Sequence, residues 1–237
     1  TTYGEALQNA LTPVLKTLHQ IPTQLQQMAL EREKTIRLNV LAASTLVTQA
    51  LISYKKDHDG LHFRLIQNSQ CEDADITVFT RENFQIPTDT KERYELFKER
   101  IFLAVPHNSP YASEESIRLQ DFAHEDFISL SGSRSIRTIC DRYCMQAGFV
   151  PHIIYESDSP DTVKNLIASG LGVGFWPHYT WGMDSMEQIR LLPIAEPTCQ
   201  RAIILQLHRH ARGQEAVCSF YAFLNRYLRQ LKAAEQH

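Results

Sequence analysis

The sequence predicts an α/β protein of two Rossmann-like subdomains that are joined by a hinge and preceded by a long linker helix. Three observations predict this fold. Residues 127–177 follow a β-α-β-α-β pattern, further strands and a last helix flank that unit on both sides, and the first 34 residues follow a helical repeat. Because the flanking elements enclose the central unit, we expect the chain to cross between subdomains twice, near Val105 and near Leu205.

The first 34 residues carry an apolar seam with coiled-coil spacing. Thr2-Tyr3-Gly4-Glu5 matches a capping box at the start of this helix. Pro13 and Pro22 predict a kink or an interruption, because each costs about 3 kcal/mol inside a helix. The seam is too narrow to bury itself, so we expect a dimerisation helix; the alternative is one amphipathic helix packed on its own domain. The seam residues step by alternating intervals of four and three: Leu7, Leu11, Val14, Leu18, Ile21, Leu25 and Met28.

The central unit predicts a parallel sheet with helices on its faces. Gly148 and Gly170 suit the ends of its two helices. Its elements are a strand over Phe127–Leu130, a helix with an apolar face from Ile136 to Ala147, a strand over Ile153–Tyr155, a helix opened by Asp158-Ser159-Pro160, and a strand over Leu171–Phe175.

The regions before and after residues 127–177 form one complete subdomain and also complete the subdomain that contains the central unit. Residues 80–99 are polar and predict mainly loop, and Gln67–Ala74 is too short to hold a helix comfortably. We predict limits of 1–34 for the linker helix, 35–105 with 206–237 for subdomain I, and 106–205 for subdomain II. The predicted strands are Ile36–Ala42, Leu61–Ile66, Asp75–Phe79, Ile101–Val105, Ile189–Pro193 and Ala202–Leu207; the predicted helices run from Leu46 to Tyr54, over Leu119–Phe122 and over Gln214–Lys232.

Composition narrows the class of protein. The 237 residues are 43% hydrophobic and 22% charged, with a net charge of −3, which does not favour a polyanion binder. No apolar run reaches the roughly 18 residues of a membrane helix, and no signal peptide opens the chain. Five cysteines, an odd number without a CxxC pair, indicate reduced thiols and a cytoplasmic protein.

Hydroxyl-rich turns follow the strands of both predicted subdomains and open helices. Helix N-termini at the carboxyl edge of a sheet attract polar or anionic ligands, so we expect a carboxylate or a similar metabolite between the subdomains. The alternative is that these serines are only helix caps. The expected effector-binding residues are Ser44, Thr45, Phe79, Thr80, Ser131, Gly132, Ser133, Arg134 and Phe175.

The order of several segments resembles the LysR-type transcriptional regulators. Thr2–Leu7 is similar to the stretch that begins the family's linker helix, Ile36–Thr45 to its first regulatory strand and ligand turn, and Asp75–Val78 to its D-[LI]-x-[IV] strand. Ile101–Pro110 resembles its crossover strand and the H-P segment that follows. Ala168–Gly174, with Pro177, resembles its V-x-x-G-x-G-[IV] signature.

This resemblance implies a type 2 periplasmic-binding-protein-like regulatory fold, a homodimer or homotetramer, a small-molecule effector and no enzymatic activity or cofactor. It also implies that promoter DNA is bound by an N-terminal winged helix-turn-helix of roughly sixty residues that this sequence lacks. One departure is the short connection Gln67–Ala74, where family members usually have a helix.

Other interpretations stay open. A solute-binding receptor of the same fold would explain the two subdomains, and an enzyme similar to porphobilinogen deaminase or prephenate dehydratase would need a catalytic aspartate context that we do not find. Cys140 and Cys144, four residues apart near Arg137 and Arg142, could form a thiol redox switch, although buried packing is the commoner role. The glycines of 170–174 follow a helix instead of opening one, which excludes a dinucleotide fingerprint. His208-Arg209-His210 lacks a third metal ligand, so we expect no metal.

Overall fold

A computed structural model describes residues 1–67, 69–82, 85–86, 91–132, 135–182 and 187–234, and within its helices the side chains of 27–31, 33 and 232–234 are not described. The helices are α1 (Thr2–Lys34), α2 (Ser44–Lys55), α3 (Ser135–Gln146), α4 (Pro160–Ala168), α5 (His178–Trp181) and α6 (Glu215–Ala234), with 3-10 turns at Leu119–Phe122 and Arg209–Ala211. The strands are β1 (Thr35–Val40), β2 (His62–Gln67), β3 (Ile76–Arg81), β4 (Arg93–Pro106), β5 (Ile117–Arg118), β6 (Asp126–Leu130), β7 (His152–Ser157), β8 (Gly174–Pro177), β9 (Ile189–Leu192), β10 (Ile194–Glu196) and β11 (Gln200–Leu207).

The main sheet has the order β2-β1-β3-β11-β4-β8, and β9 also pairs with β4. β1 is parallel to β2 and β3, whereas β11 is antiparallel to β3 and β4. β4 changes partners along its length: Arg93–Arg100 pairs with β11, and Ile101–Pro106 pairs with β8 and β9. The chain therefore passes from one half of the molecule to the other within a single strand.

Two hydrophobic cores define these halves. The first half is built on β1, β3, β11, α2 and α6, with Ile36, Tyr54 and Phe220 among its buried residues. The second half is built on the end of β4 with β6, α3, α4, β8 and β9, and buries Phe127 and Trp176. The predicted two-part α/β fold is confirmed, while the subdomain limits at residues 105/106 and 205/206 stay predictions.

The central unit forms as predicted except for its last strand. β6 and β7 are parallel, and Val173 makes one parallel bridge to Phe127. β8 itself begins only at Gly174 and pairs antiparallel with β4. The chain comes very close to β6 here, since a Cβ on Gly174 would lie 2.8 Å from the Ile128 carbonyl oxygen. The last glycine of the Ala168–Gly174 segment is therefore explained by steric crowding against β6.

Residues 93–99 correct the prediction of loop over 80–99, because they form the first half of β4. Their charged side chains hide a strand in the sequence, but Phe97 and Glu99 point into buried positions at 7% and 0% exposure. The connection from β2 to β3 holds no helix in residues 69–75, as its shortness predicts.

The long helix α1 runs without interruption through Pro13 and Pro22, so an interruption is ruled out and a kink stays a prediction. These prolines leave carbonyl groups without a donor, but water can reach them because residues 1–26 are exposed. Thr1, not Thr2, caps the helix by accepting a hydrogen bond from the Gly4 amide. The six seam residues whose side chains are described remain 39–60% exposed, and the side chain of Met28 lies outside the described part: Leu7, Leu11, Val14, Leu18, Ile21 and Leu25.

Candidate functional site

A cavity of about 610 Å³ lies where the two halves meet, and we call it the central cavity. Its size falls within the range of roughly 300–1,000 Å³ that small-molecule sites occupy. The first half contributes the end of β1, the start of α2 and the end of β3, and the second half contributes the starts of α3 and α4 with α5. The described lining residues are Val40, Leu41, Ala42, Ala43, Ser44, Thr45, Ser69, Gln70, Phe79, Thr80, Leu130, Ser135, Ile136, Asp158, Pro160, Thr180, Trp181 and Arg201.

The first wall is the turn from β1 into α2. Ala43 precedes the helix with φ 60° and ψ 35°, a left-handed conformation that costs an alanine roughly 1–2 kcal/mol. This turn presents Ser44 and Thr45 at the first positions of a twelve-residue helix, where backbone N–H groups lack intrahelical partners. Among the residues that the structure describes, no side chain caps α2. Backbone strain and uncapped donors at one place are typical of a ligand-binding turn.

The second wall joins the two halves directly. Phe79 and Thr80 end β3, and the Thr80 hydroxyl lies 2.7 Å from the hydroxyl of Ser135, which opens α3. Beyond it, Glu82, the residue after β3, forms an ion pair with Arg142 of α3. A ligand between the halves would therefore lie beside contacts that already hold them together.

The third wall is the start of α4. Ser159 caps this helix, and its hydroxyl accepts a hydrogen bond from the Thr162 amide at 3.4 Å. Asp158 and Pro160 reach the cavity on either side of that cap. The N-termini of three helices, α2, α3 and α4, thus face one cavity, and each contributes about half a positive charge.

The sequence predicted only part of this lining. Ser44, Thr45, Phe79 and Thr80 line the cavity, while Ser131, Gly132 and Phe175 are absent from its described lining. Phe175 instead packs on Phe127 in the second core, with ring centroids 5.8 Å apart. Ser133 and Arg134 lie outside the described residues.

The floor of the cavity holds an ion pair that sequence reasoning missed. Arg201 donates from Nε to Glu99 Oε2 at 2.6 Å and from Nη2 to the Thr180 hydroxyl at 2.8 Å. Glu99 also accepts hydrogen bonds from the Thr180 amide at 2.6 Å and the Thr180 hydroxyl at 3.0 Å. Both charged residues are buried, at 0% and 2% exposure. In the sequence, each of these two residues is a charge beside an apolar run, which gives only a weak signal.

Three cysteine side chains are buried in the second half. Burial raises the pKa of Cys140 well above its usual value and raises the pKa of both Cys144 and Cys199 to about 12. Thiols of this kind are poor nucleophiles. The environment of Cys140 and Cys144 therefore favours a packing role over the redox switch.

The described residues contain no group of three or more His, Cys, Asp or Glu side chains suited to a metal ion. None of their helices is long and apolar enough to span a membrane.

Two α/β halves around a cavity of mixed polar and apolar lining, joined at a strand shared by both, define a ligand-binding module. Residues 30–229 match the family model "LysR substrate binding domain". The chain belongs to the LysR family and carries its effector-binding domain, which confirms the fold expected from the resemblance.

Named relatives agree with this assignment. The chain is 25% identical to the HTH-type transcriptional regulator YybE of Bacillus subtilis strain 168 over 209 residues, or 85% of this chain and 70% of that protein. It is 24% identical to the transcriptional dual regulator GltC of the same strain over 80% of this chain and 65% of that protein. The solved effector-binding domain of QuiR in complex with shikimate superposes with a TM-score of 0.66 at 18% identity, covering 83% of this chain and 97% of that one. The chain spans about two thirds of the length of the two curated relatives.

Proposed function

We propose that this chain is the effector-sensing and oligomerising part of a LysR-type DNA-binding transcriptional regulator. A small polar or anionic metabolite binds in the central cavity. The observation that carries the proposal is that helix N-termini from both halves face one cavity of about 610 Å³. A ligand that touches both halves stabilises one relative arrangement of them, and differential binding of this kind shifts an equilibrium between states.

The cavity favours a binding role over catalysis. Its described lining includes serine and threonine hydroxyls but no histidine, cysteine or lysine. The described lining thus lacks imidazole, thiol and amine groups for catalysis, and the carboxylate of Asp158 is its one candidate base. The related regulators also support a sensor, and the shikimate bound to the QuiR domain supports a small carboxylate as its ligand. A solute-binding receptor would share the fold but not the kinship to HTH-type regulators.

The signal has a physical route towards the long helix. α1 ends at Lys34 and continues directly into β1, whose other end supplies Val40–Ala42 to the cavity. We propose that a change of cavity geometry alters the direction of α1, that α1 forms a homodimer or homotetramer through its exposed seam, and that promoter DNA is bound by a further part of the whole protein in the cytoplasm.

Substitution of Thr45 by Val tests the location of the site. The variant loses a hydroxyl at the start of α2, and one hydrogen bond to a charged ligand group is worth about ten- to hundredfold in affinity. Calorimetry with a ligand found by thermal-shift screening of small carboxylates, shikimate among them, should show a weakening of that order. The exposed Thr17→Val should leave affinity unchanged. Equal affinity for Thr45→Val and wild type, with intact folding, would place the site elsewhere.

A further inference from the structure

We infer that Arg201 selects a carboxylate in the central cavity, and that Glu99 and Thr180 set its position and its charge balance. The ligand class is a small carboxylate that also bears a hydroxyl or ammonium group. This inference rests on the proposed function, because it names the chemistry that the effector site recognises.

The first argument is the placement of the ion pair. Arg201 and Glu99 are direct cross-strand partners of β11 and β4. Two residues further along β4, Ile101 begins the pairing with β8 in the second half. Thr180, held by both charged side chains, belongs to α5 in that second half. The pair therefore stands at the strand crossing that joins the halves, and a ligand that contacts it acts at this joint.

The second argument is the cost of burying these charges. A buried ion pair must recover a large desolvation penalty, and apolar residues of similar size often stabilise a fold as well or better. Packing alone thus gives no reason for a charged pair that is 0% and 2% exposed in the middle of a sheet. Arg201 lies in the wall of the cavity, which supplies a reason that packing does not.

The third argument is the number of donors on Arg201. A guanidinium has five N–H groups, and its hydrogen bonds to the described residues use Nε and one hydrogen of Nη2. Nη1 makes no hydrogen bond to the part of the chain that the structure describes. Two parallel N–H groups match the two oxygens of a carboxylate, which is the geometry that arginine recognises best.

The fourth argument is the direction of charge. Arg201 lines the cavity and Glu99 does not, so the pair presents its positive end to a ligand. The start of α2 adds partial positive charge to the same space. Asp158 is the other charged residue in the described lining, and its carboxylate accepts hydrogen bonds. A ligand that carries both an anionic group and a hydrogen-bond donor matches the charges of Arg201 and Asp158.

The test uses matched pairs of probes that differ in one group. We would titrate glycolate with glycolamide and shikimate with methyl shikimate, within a wider panel of hydroxy- and amino-carboxylates paired with their amides, into wild type and variants. For each pair of probes that binds, wild type should bind the carboxylate more tightly than its neutral partner. The double variant Glu99→Gln/Arg201→Met leaves no unpaired buried charge and should weaken carboxylates by at least about tenfold, with the neutral partners unchanged. Glu99→Gln alone leaves Arg201 uncompensated and should tighten carboxylates only.

Arg32→Met/Asp75→Asn is the matched control, because it removes a second ion pair that lies outside the cavity lining. It should change no affinity. If the neutral probes bind best and Thr45→Val still weakens their binding, the carboxylate inference is overturned. The proposed effector site is kept in that case. If the Glu99→Gln/Arg201→Met variant prefers carboxylates as strongly as wild type does, the carboxylate inference is likewise overturned. No binding by any member of the panel would overturn both.

Discussion

Arg32 holds the buried carboxylate of Asp75 with two hydrogen bonds, from Nη2 to Oδ1 at 2.5 Å and from Nη1 to Oδ2 at 3.2 Å. The contact fastens the last turn of α1 to the residue that precedes β3. Asp75 Oδ2 also accepts a hydrogen bond from the Arg37 amide at 2.8 Å, and Arg32 reaches Gln214 before α6. One carboxylate thus fixes the long helix to three segments of the first half.

Asp75→Asn should destabilise the protein by about 1.5–3 kcal/mol, because it removes charge-assisted hydrogen bonds of a buried group. The figure stays below the full cost of an unpaired buried charge, since the Arg32 side chain is 28% exposed and water can solvate it. Urea unfolding measures the change. Asp73→Asn is the control: it breaks the Arg37 pair of a 60% exposed aspartate and should cost less than about 1 kcal/mol. Equal losses of stability in the two variants would contradict the anchoring of α1 by Asp75.

Gly174→Ala should cost about 1–3 kcal/mol through overpacking. The added methyl would meet Ile167 Cδ1 at 2.7 Å and the Ile128 carbonyl oxygen at 2.8 Å, and the carbonyl belongs to a strand that cannot move aside cheaply. Gly132→Ala, with nothing within 4 Å of the new Cβ, should change the free energy of unfolding by less than about 0.5 kcal/mol. Thermal denaturation of both variants checks this. A neutral Gly174→Ala would mean that α4 and β6 separate easily.

The seam of α1 should hold two copies of the chain together. Leu11 and Leu18 are 45% and 55% exposed, so Leu11→Lys with Leu18→Lys should disturb association but not folding. Light scattering should give at least a dimer for wild type at about 100 µM and a mass near 27.2 kDa for the variant. Thermal unfolding at equal concentration reports whether the variant remains folded. A monomeric wild type would refute the dimer, and a dimeric variant would assign association to another surface.

Sequence periodicity located most elements because buried strands and helix faces here are continuous apolar patterns. It failed at Arg93–Glu99, where charged residues alternate around Tyr94 and Phe97 and resemble a loop. It also placed the third strand of the central unit too early, because Leu171–Val173 approaches β6 only through one bridge. Strand pairing depends on residues far apart in sequence, and no local pattern reports it.

The same limit applies to the candidate site. Ser44 and Thr45 were predictable because a hydroxyl pair between a strand and a helix has a local meaning. Arg201 and Glu99 lie 102 residues apart and become a pair only through the register of β4 and β11. Each alone resembles a surface charge at the start of an apolar run.

Stability should fall as the pH is lowered through the range just below 6.5, in part because of His208. Burial lowers the pKa of this imidazole from its ordinary value of 6.5, although Glu92 opposes the shift. The unfolded chain therefore takes up the proton first, so the free energy of unfolding rises with pH across the window between the lowered pKa and 6.5. The contribution of His208 to the stability of the fold is fully present above pH 6.5.

Urea unfolding at pH 7.5 and pH 5.5 measures the difference. His208→Gln should reduce this pH dependence, whereas the exposed His124→Gln should retain it. The comparison concerns the slope, because His208→Gln also removes a 2.8 Å hydrogen bond to Thr77 at every pH. An unchanged slope would show that His208 does not carry the pH dependence.

The cysteines distinguish a metabolite sensor from a redox sensor. With a pKa of about 12, Cys144 and Cys199 are thiolates in a fraction on the order of 10⁻⁴ at pH 8, and Cys140 is also strongly shifted. Cys71 and Cys218 are only partly buried. A disulfide-exchange reagent should therefore label two thiols in the folded protein and the other three only as it unfolds, with the three reacting at the unfolding rate.

The decisive variant is Cys71→Ser/Cys218→Ser, which keeps the three buried thiols. Peroxide should leave it reduced while folded, and its affinity for the effector should match wild type. Cys140→Ser with Cys144→Ser should likewise keep the effector response and lose some stability, because two packed sulfur atoms are replaced by hydroxyls in an apolar core. Rapid formation of a Cys140–Cys144 disulfide in the folded protein would instead require α3 to open at low cost. Since α3 also supplies Ser135 to the cavity, such an opening would link oxidation to the ligand site and revive the redox-sensor interpretation.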